Sequence, residues 1–528
     1  MGDIKSTVSD HVEDSALDYE SQKIGGAPLA TTVTGTVRLT EGTIVYVPAA
    51  TADPQDPLNM SKIQKMGIIV MISIFSTLGL SLVSGFGGLL GFYIPQYAAA
   101  GKTYADISAL MTYPTLFMGI GNLIGMPIAY AVGRRIVLLG STLVMIAGAV
   151  MCAKADNYDF HLWSRCIIGL AAGQSEALVP MITQEIFFLH ERSQGLMVQQ
   201  TVQVILTAVW VLFASPIAEA ITPQWWYGLG ACLAGAQFIG TVFWVPETKY
   251  KRSMAAYQEG SDSEGASELC TVRPALDFVN FAPRTLGSDM RLWVDTPEWS
   301  TAWTALRQTF ELLVHPQVFW ALCLNGLTLG TNIAIGITYG NILHAPPYNW
   351  AQSSVSYANC GQIVTALIAL PVFGWGSDKL IRAFANRRNG VHEPEVRLIP
   401  LAFPTVVGVI TAILYGQGAT HPESYHWFNY VWALAAYYFC FVGANIVAIT
   451  YLLDSYPARA GPLLIIICAF RGIISFGVSF GITPFIENNG YDGAFNTFGG
   501  LTAALGLMAI PMYIWGKKIR ARFGKYAS

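Results

Sequence analysis

The chain has 528 residues, is 53% hydrophobic and only 12% charged, and carries a net charge of −3. Soluble domains hold about 25% charged residues, so this composition indicates a membrane protein, and the weak net charge excludes a basic nucleic-acid surface. The eight cysteines form no CxxC pair and all but Cys270 lie in apolar segments, so they read as small buried hydrophobes rather than disulfides or metal ligands.

Residues 1–55 are polar, with no apolar run near Met1, which predicts a disordered tail, no cleavable signal and a first span that acts as the signal. Asp56-Pro57-Leu58-Asn59-Met60-Ser61 comes next. Pro57 sets an extended approach, and Asn59 or Ser61 can cap the following helix. Apolar segments of about 20 residues then lie near 66–89, 106–131, 136–153, 161–182, 196–217 and 225–245. After a polar interruption come 317–339, 352–374, 397–416, 427–452, 461–483 and 495–515. They are too long and too evenly apolar for barrel strands.

With the N-terminus inside, the outer loops hold only Lys102 and Lys154. The short loops with Arg134, Arg135, Arg192, Lys379, Arg382 and Arg459, and the tail Lys517-Lys518-Ile519-Arg520, are then cytoplasmic. The expected fold is an all-α integral membrane protein of twelve transmembrane helices in two pseudo-symmetric six-helix halves. The halves span 56–245 and 317–516, with a cytoplasmic linker at 246–316 and a tail at 517–528. Corresponding loops support a duplication: Gly133-Arg134-Arg135 against Gly374-Trp375-Gly376-Ser377-Asp378-Lys379, and Glu185, Arg192, Gly195 against Asp454, Arg459, Gly461. In the linker, Trp299, Trp303, Leu306, Phe310 and Leu313 share one helical face, so 297–313 is expected to lie along the inner interface.

Charges inside spans mark candidate function. Arg165, Gly169, Gly173 and Glu176 fall within about 80° of one another around a helix. Arg165 and Glu176 are roughly 16 Å apart along it, too far to touch. A charge in hydrocarbon is costly and normally faces a bundle interior, while the glycines admit a close neighbour. A snorkelling arginine is the alternative for Arg165. Glu176 is the only carboxylate well inside a span, so it is the expected proton-coupling group, with Arg165 tuning its field or receiving a carboxylate. Arg471 is a second buried cation that can pair with an acid from another span or hold an anionic substrate.

Polar groups at mid-depth define a candidate substrate cavity: Asn325, Thr328, Asn332 and Tyr339; Gln200, Gln203 and Thr207; Asn359 and Gln362; Tyr437, Tyr438 and Asn445; and Arg471. Hydrogen bonding between helices can account for part of this set. The many aromatics offer flat walls, and a cation over such a ring gains about 0.5–2 kcal/mol.

In this order the motifs resemble the major facilitator superfamily, in its fungal twelve-span drug:proton antiporter branch, over about 55–525. They are Asp56-Pro57-Leu58-Asn59, Gly133-Arg134-Arg135, Arg165-xxx-Gly169-xxx-Gly173 and Val245-Pro246-Glu247-Thr248-Lys249-Tyr250. The second half is similar to the fungal polyamine and organic-cation permeases through Asn325-Gly326-Leu327-Thr328-Leu329-Gly330-Thr331-Asn332, Val391-His392-Glu393-Pro394-Glu395 and Leu453-Asp454-Ser455-Tyr456-Pro457. The resemblance implies alternating access by two rocking halves, with Gly133, Arg134, Arg135 and Asp378 as gating residues. Two departures stand out. Tyr130 occupies the place of the family's acidic residue after span 2. The span 5 motif reads Ser215-Pro216-Ile217-Ala218-Glu219-Ala220 and keeps only its proline.

No second histidine follows His190-Glu191 or His392-Glu393, and no nucleophile elbow or phosphate loop appears, which argues against an enzyme or an ATP-driven pump. The expected function is proton-coupled transport of a small organic molecule, most simply efflux of a drug or secondary metabolite across a fungal plasma membrane. The alternatives are uptake of polyamines or other organic cations, and a transporter-like nutrient sensor. No cofactor or metal is expected. The expected partners are the bilayer, protons and the substrate, and the expected state is a monomer with both termini cytoplasmic.

Overall fold

The computed structural model describes residues 51–250, 276–292, 296–376, 379, 394–456 and 459–523, and every regular element among them is helical. The first half contains α1 (Lys62–Ala99), α2 (Tyr104–Ala131), α3 (Arg134–Ala153), α4 (Tyr158–Ile186), α5 (Gln194–Ala220) and α6 (Pro223–Trp244). The second contains α7 (Pro316–His344), α8 (352–376), α9 (Pro394–Thr420), α10 (Phe428–Ser455), α11 (460–489) and α12 (491–523). Ten helices among the described residues are by themselves long and apolar enough to cross a membrane. The count rises to twelve for two reasons. The last of the ten is two helices joined at Gly490, where φ is +73°, a backbone state that glycine adopts without a Cβ penalty. The helix α8 is mixed: a 3₁₀ turn over Gln352–Asn359, an α-helix over Cys360–Pro371 and a π turn over Val372–Gly376. Its serine- and asparagine-rich start and Pro371 explain why it is not one long apolar α-helix.

The entry to α1 follows the sequence closely. Ser61 caps it, accepting from Gln64 N at 3.3 Å, and Asp56 caps the preceding 3₁₀ turn, accepting from Leu58 N at 2.9 Å. Asn59 is not a cap. Its amide donates to Thr51 O and Asp53 O at 2.8 and 2.9 Å and closes the approach on itself.

Glycines set how closely the helices cross. A methyl on Gly169 or Gly173 of α4 would sit 2.4 Å from Pro114 O or 2.3 Å from Met118 O of α2. The two glycines of the sequence stripe therefore serve the α2–α4 crossing. Between the halves, a methyl on Gly119 of α2 would reach Ala469 O of α11 at 2.5 Å, and one on Gly472 would reach Thr115 O at 2.8 Å.

The first and last described residues of the two halves and the described part of the linker lie at one end of the bundle, here the basic end. At the opposite, far end, the halves are joined by Tyr104 Oη donating to Ile337 O (3.1 Å), Ser108 Oγ with Thr483 Oγ1 (3.5 Å) and Ser356 Oγ donating to Leu212 O (2.9 Å). At the basic end the linker forms a helix over Trp299–Glu311 that buries Ala302, Ala305 and Thr309. Trp299, Trp303 and Phe310 stay exposed.

Candidate functional site

A carboxylate of α4, an amide of α10 and a guanidinium of α11 meet between the halves. Arg471 Nη2 forms an ion pair with Glu176, with side chains 4% and 15% exposed. Its Nη1 donates to Asn445 Oδ1 at 2.9 Å, and Cys468 Sγ donates to the Glu176 carbonyl at 3.2 Å. The guanidinium thus has two acceptors at once, a carboxylate from the first half and an amide from its own half. Its Nε finds no partner among the described residues. Such a pair holds the halves together, and losing one member would leave a bare charge in low dielectric. The sequence pointed to each of the three residues but not to their pairing.

Arg165 lies elsewhere. It is 1% exposed, so it does not snorkel, and its contacts lie wholly inside the first half. It donates to Leu110 O at 2.7 Å, Leu82 O at 3.3 Å, Val83 O at 2.8 Å and Tyr227 Oη at 2.6 Å. Its guanidinium also lies 4.3 Å over the Phe86 ring. His161, one turn before it, joins Tyr97 Oη (2.9 Å) to Tyr227 Oη (3.2 Å). The helix α4 is irregular at Gly173, and the stripe shared on paper by Arg165 and Glu176 divides there: one end faces α1, α2 and α6, the other faces α11. The Tyr97–His161–Tyr227 chain escaped the sequence reading, although the four-residue spacing of His161 and Arg165 hinted at it.

The remaining cavity candidates sort by partner. Asn359 Nδ2 donates to Tyr339 Oη at 3.0 Å, and Gln362 Nε2 to Asn359 Oδ1 at 3.3 Å, linking α7 and α8. Gln203 is buried and its Oε1 accepts from Gln199 at 2.7 Å, whereas Gln200 is half-buried. Asn325 is fully buried with both amide atoms unpartnered among the described residues, and Asn332 Oδ1 is likewise unpartnered. Tyr437 turns toward α12, with its hydroxyl 3.2 Å from Thr502 Oγ1.

At the basic end, Gly133 adopts φ +138° and opens α3 against Glu247, whose carboxylate accepts from Arg134 N at 2.9 Å and Arg135 N at 3.1 Å. Arg134 reaches Glu185 at 2.7 Å. Arg135 donates to Asp289 O and, at 2.7 Å, to Val242 O. In the second half Arg397 pairs with Asp454, repeating the Arg134–Glu185 pair at the start of α9 and the end of α10. Asp378 lies outside the described residues. Tyr130 lies under Arg134, 5.1 Å from ring centroid to guanidinium, and its hydroxyl abuts Gly461 of α11, where a methyl would approach to 1.7 Å. No group of three metal-ligating side chains occurs among the described residues.

Two helical halves packed around buried charges define a polytopic membrane carrier. The model of the Major Facilitator Superfamily matches residues 69–461, and the chain belongs to that superfamily. It is a membrane transporter of small molecules and not an enzyme. It is 23% identical to an uncharacterized MFS-type transporter of Schizosaccharomyces pombe, over 91% of this chain and 88% of that one. It is 21% identical to Protein HOL1 of Saccharomyces cerevisiae, over 92% and 91%, and 24% identical to Multidrug transporter AQR1 of Candida glabrata, over 63% and 58%. Among solved structures it is similar to the xylose transporter XylE of E. coli, in a partially occluded inward-open conformation, with TM-score 0.56 and 14% identity over 85% of this chain and 98% of that one. The human organic anion transporter MFSD10 gives TM-score 0.55 and 12% identity over 84% and 99%.

Proposed function

We propose that the protein is a proton-coupled carrier that exports a small organic molecule, a drug or secondary metabolite, across a fungal plasma membrane, with both termini cytoplasmic. This places it in the drug:proton antiporter branch. The observation that carries the reading is the Glu176–Arg471 pair between the halves, with Asn445 as a second acceptor for the arginine. Protonating Glu176 takes away the carboxylate that Arg471 pairs with, leaves the arginine held by Asn445 and weakens the tie between α4 and α11; deprotonation restores it. One titration thus alters both charge and inter-half contact, which is what coupling requires. Export is favoured by the multidrug designation of the Candida glabrata relative. Gly133, Arg134, Arg135 and Asp378 form the gating end of this scheme, and the polar residues of α5, α7 and α8 line the path.

Two features favour uptake of polyamines or other organic cations as a second reading. The span 5 motif has lost its glycines, and Glu176 offers a carboxylate that an ammonium can take over from Arg471.

Transport by purified protein in vesicles tests the scheme. Glu176→Gln keeps shape and hydrogen bonding but cannot titrate. Accumulation driven by a pH gradient should vanish, while exchange of labelled substrate persists. A fall in exchange as well would favour the cation reading, and full pH-driven accumulation would put the proton site elsewhere.

A further inference from the structure

The linker helix Trp299–Glu311 carries four hydroxyls, on Ser300, Thr301, Thr304 and Thr309. Thr301, Thr304 and Gln308 line a cleft of about 390 Å³ that they share with Tyr130 of α2 and with Gly461 and Pro462 of α11. The cleft therefore lies where the helix meets both halves at the basic end. Thr301 is exposed and sits in the first turn, just after the non-helical stretch 296–298. Its Oγ1 donates to the Glu298 carboxylate at 3.3 Å. The Glu298 backbone N–H in turn donates to Ala131 O of α2 at 3.1 Å. Thr301 thus touches the residue that fastens the helix to the first half. The other end of the helix reaches the second half, where Thr309 Oγ1 donates to Pro462 O at 3.5 Å.

The four hydroxyls differ in what precedes them. Glu298 stands three residues before Thr301. The same offset gives Pro297 for Ser300, Thr301 for Thr304, and Leu306 for Thr309, which is buried. An acid-directed protein kinase reads a carboxylate at that offset, so Thr301 alone of the four is a direct acceptor for one.

We propose that Thr301 is a phosphorylation site whose phosphate frees this helix from the first half. The proposal rests on the orientation proposed above, with the basic end in the cytoplasm, where kinase and ATP are found. The Thr301 oxygen attacks the γ-phosphorus of ATP. The new P–O bond forms as the bond to ADP breaks, and the hydroxyl proton passes to solvent. The product carries a charge of about −1.5 to −2 at pH 7. It no longer donates to Glu298, and it sets like charge against that carboxylate. Glu298 is displaced together with its N–H, and the bond to Ala131 O is lost. The helix itself survives, because Thr301 is its third residue, where the helix dipole favours negative charge. The result is a folded strap detached from α2, with one tie between the halves removed.

Hydrogen exchange on the purified full chain tests this, before and after treatment with ATP and casein kinase 1, with the acceptor mapped by mass spectrometry. In detergent the kinase reaches both ends of the protein, so orientation does not enter. A phosphate is expected on Thr301. The Glu298 amide should then exchange at least tenfold faster, while the amides of 303–311 stay protected. Thr301→Val should take up no phosphate on this helix and keep its slow Glu298 amide. No phosphate on Thr301, or loss of protection along the whole helix, would overturn the proposal. So would an unchanged Glu298 amide, which would mean that Lys249, the other donor to Ala131 O at 2.9 Å, holds the phosphate in place. Chain isolated from cells should carry the same phosphate, and its absence there would also count against the site. Intact cells given external kinase and ATP test the orientation separately. Phosphorylation of Thr301 from outside would refute the cytoplasmic placement of this end, a result distinct from every outcome in detergent.

Discussion

Arg165 shows what a buried cation requires. Its donors reach oxygens on α1, α2 and α6, and two of those oxygens, Leu82 O and Val83 O, belong to the last turn before α1 breaks at Gly85. The guanidinium replaces hydrogen bonds that the break removes. A lysine offers a compact ammonium with three donors and cannot span the same set. Arg165→Lys should strand at least one buried carbonyl, at about 1–3 kcal/mol, and lower both folded yield and thermal midpoint in detergent. Preserved stability with lost pH-driven transport would instead assign Arg165 to coupling. Glu247 plays a comparable part outside the membrane core. It accepts backbone N–H bonds from Arg134, Arg135, Thr248 and Lys249, and so caps α3 with a charge of the favourable sign. Glu247→Ala should cost about 1–2 kcal/mol and lower the thermal midpoint, while Glu176-dependent transport persists in the protein that remains folded.

At the level of helices, the basic end is closed by a strap. Glu298 N donates to Ala131 O of α2 at 3.1 Å, Thr309 Oγ1 donates to Pro462 O of α11 at 3.5 Å, and Glu311 pairs with Arg459 at 3.5 Å. The helix Trp299–Glu311 therefore ties the two halves, and Tyr130 meets Gly461 beside it. Gly461→Ala should push the basic ends of α2 and α11 apart, because the added methyl has no room beside the Tyr130 hydroxyl. Tyr130→Ala removes the whole ring, whose Cζ would itself lie 2.8 Å from the added methyl, and should restore closure in the double variant. Distances between spin labels on the two helix ends check this: widening in the single variant and recovery in the double are expected, and no widening would mean that Tyr130 simply rotates away. The amphipathic face of this helix was legible because Trp299, Trp303 and Phe310 repeat at helical spacing. Its grip on both halves was not, since it uses backbone carbonyls and one threonine. Tyr130 was legible only as a missing acid. Its contact with Gly461 joins residues far apart in the chain, and helical spacing carries no information across such a distance.

For the whole molecule, hydropathy made the spans legible, and the rarity of charge inside them singled out Glu176, Arg165 and Arg471. What stayed hidden was the pairing. Position along α4 suggested that Arg165 and Glu176 belong to one stripe, yet Arg165 is committed to α1, α2 and α6, and Glu176 to α11. Which helix faces which is set by the packing of glycine crossings such as Gly119 on Ala469, and no local pattern encodes it. Breaking the Glu176–Arg471 pair and remaking it in reverse tests its meaning at this scale. Glu176→Arg alone puts two arginines together, and Arg471→Glu alone puts two carboxylates together. Each should cost about 3–5 kcal/mol in whichever state joins α4 to α11, depressing transport and stability together. The double reversal restores opposite charges at the same place, but moves the carboxylate to α11 and takes the arginine away from Asn445. Stability should therefore recover toward wild type, as the contact between the halves returns. Accumulation driven by a pH gradient should recover far less, because the cation has lost the amide that holds it when the acid is protonated. Recovery of both would reduce the pair to a tie between halves, and recovery of neither would show that surrounding dipoles are arranged for one polarity only.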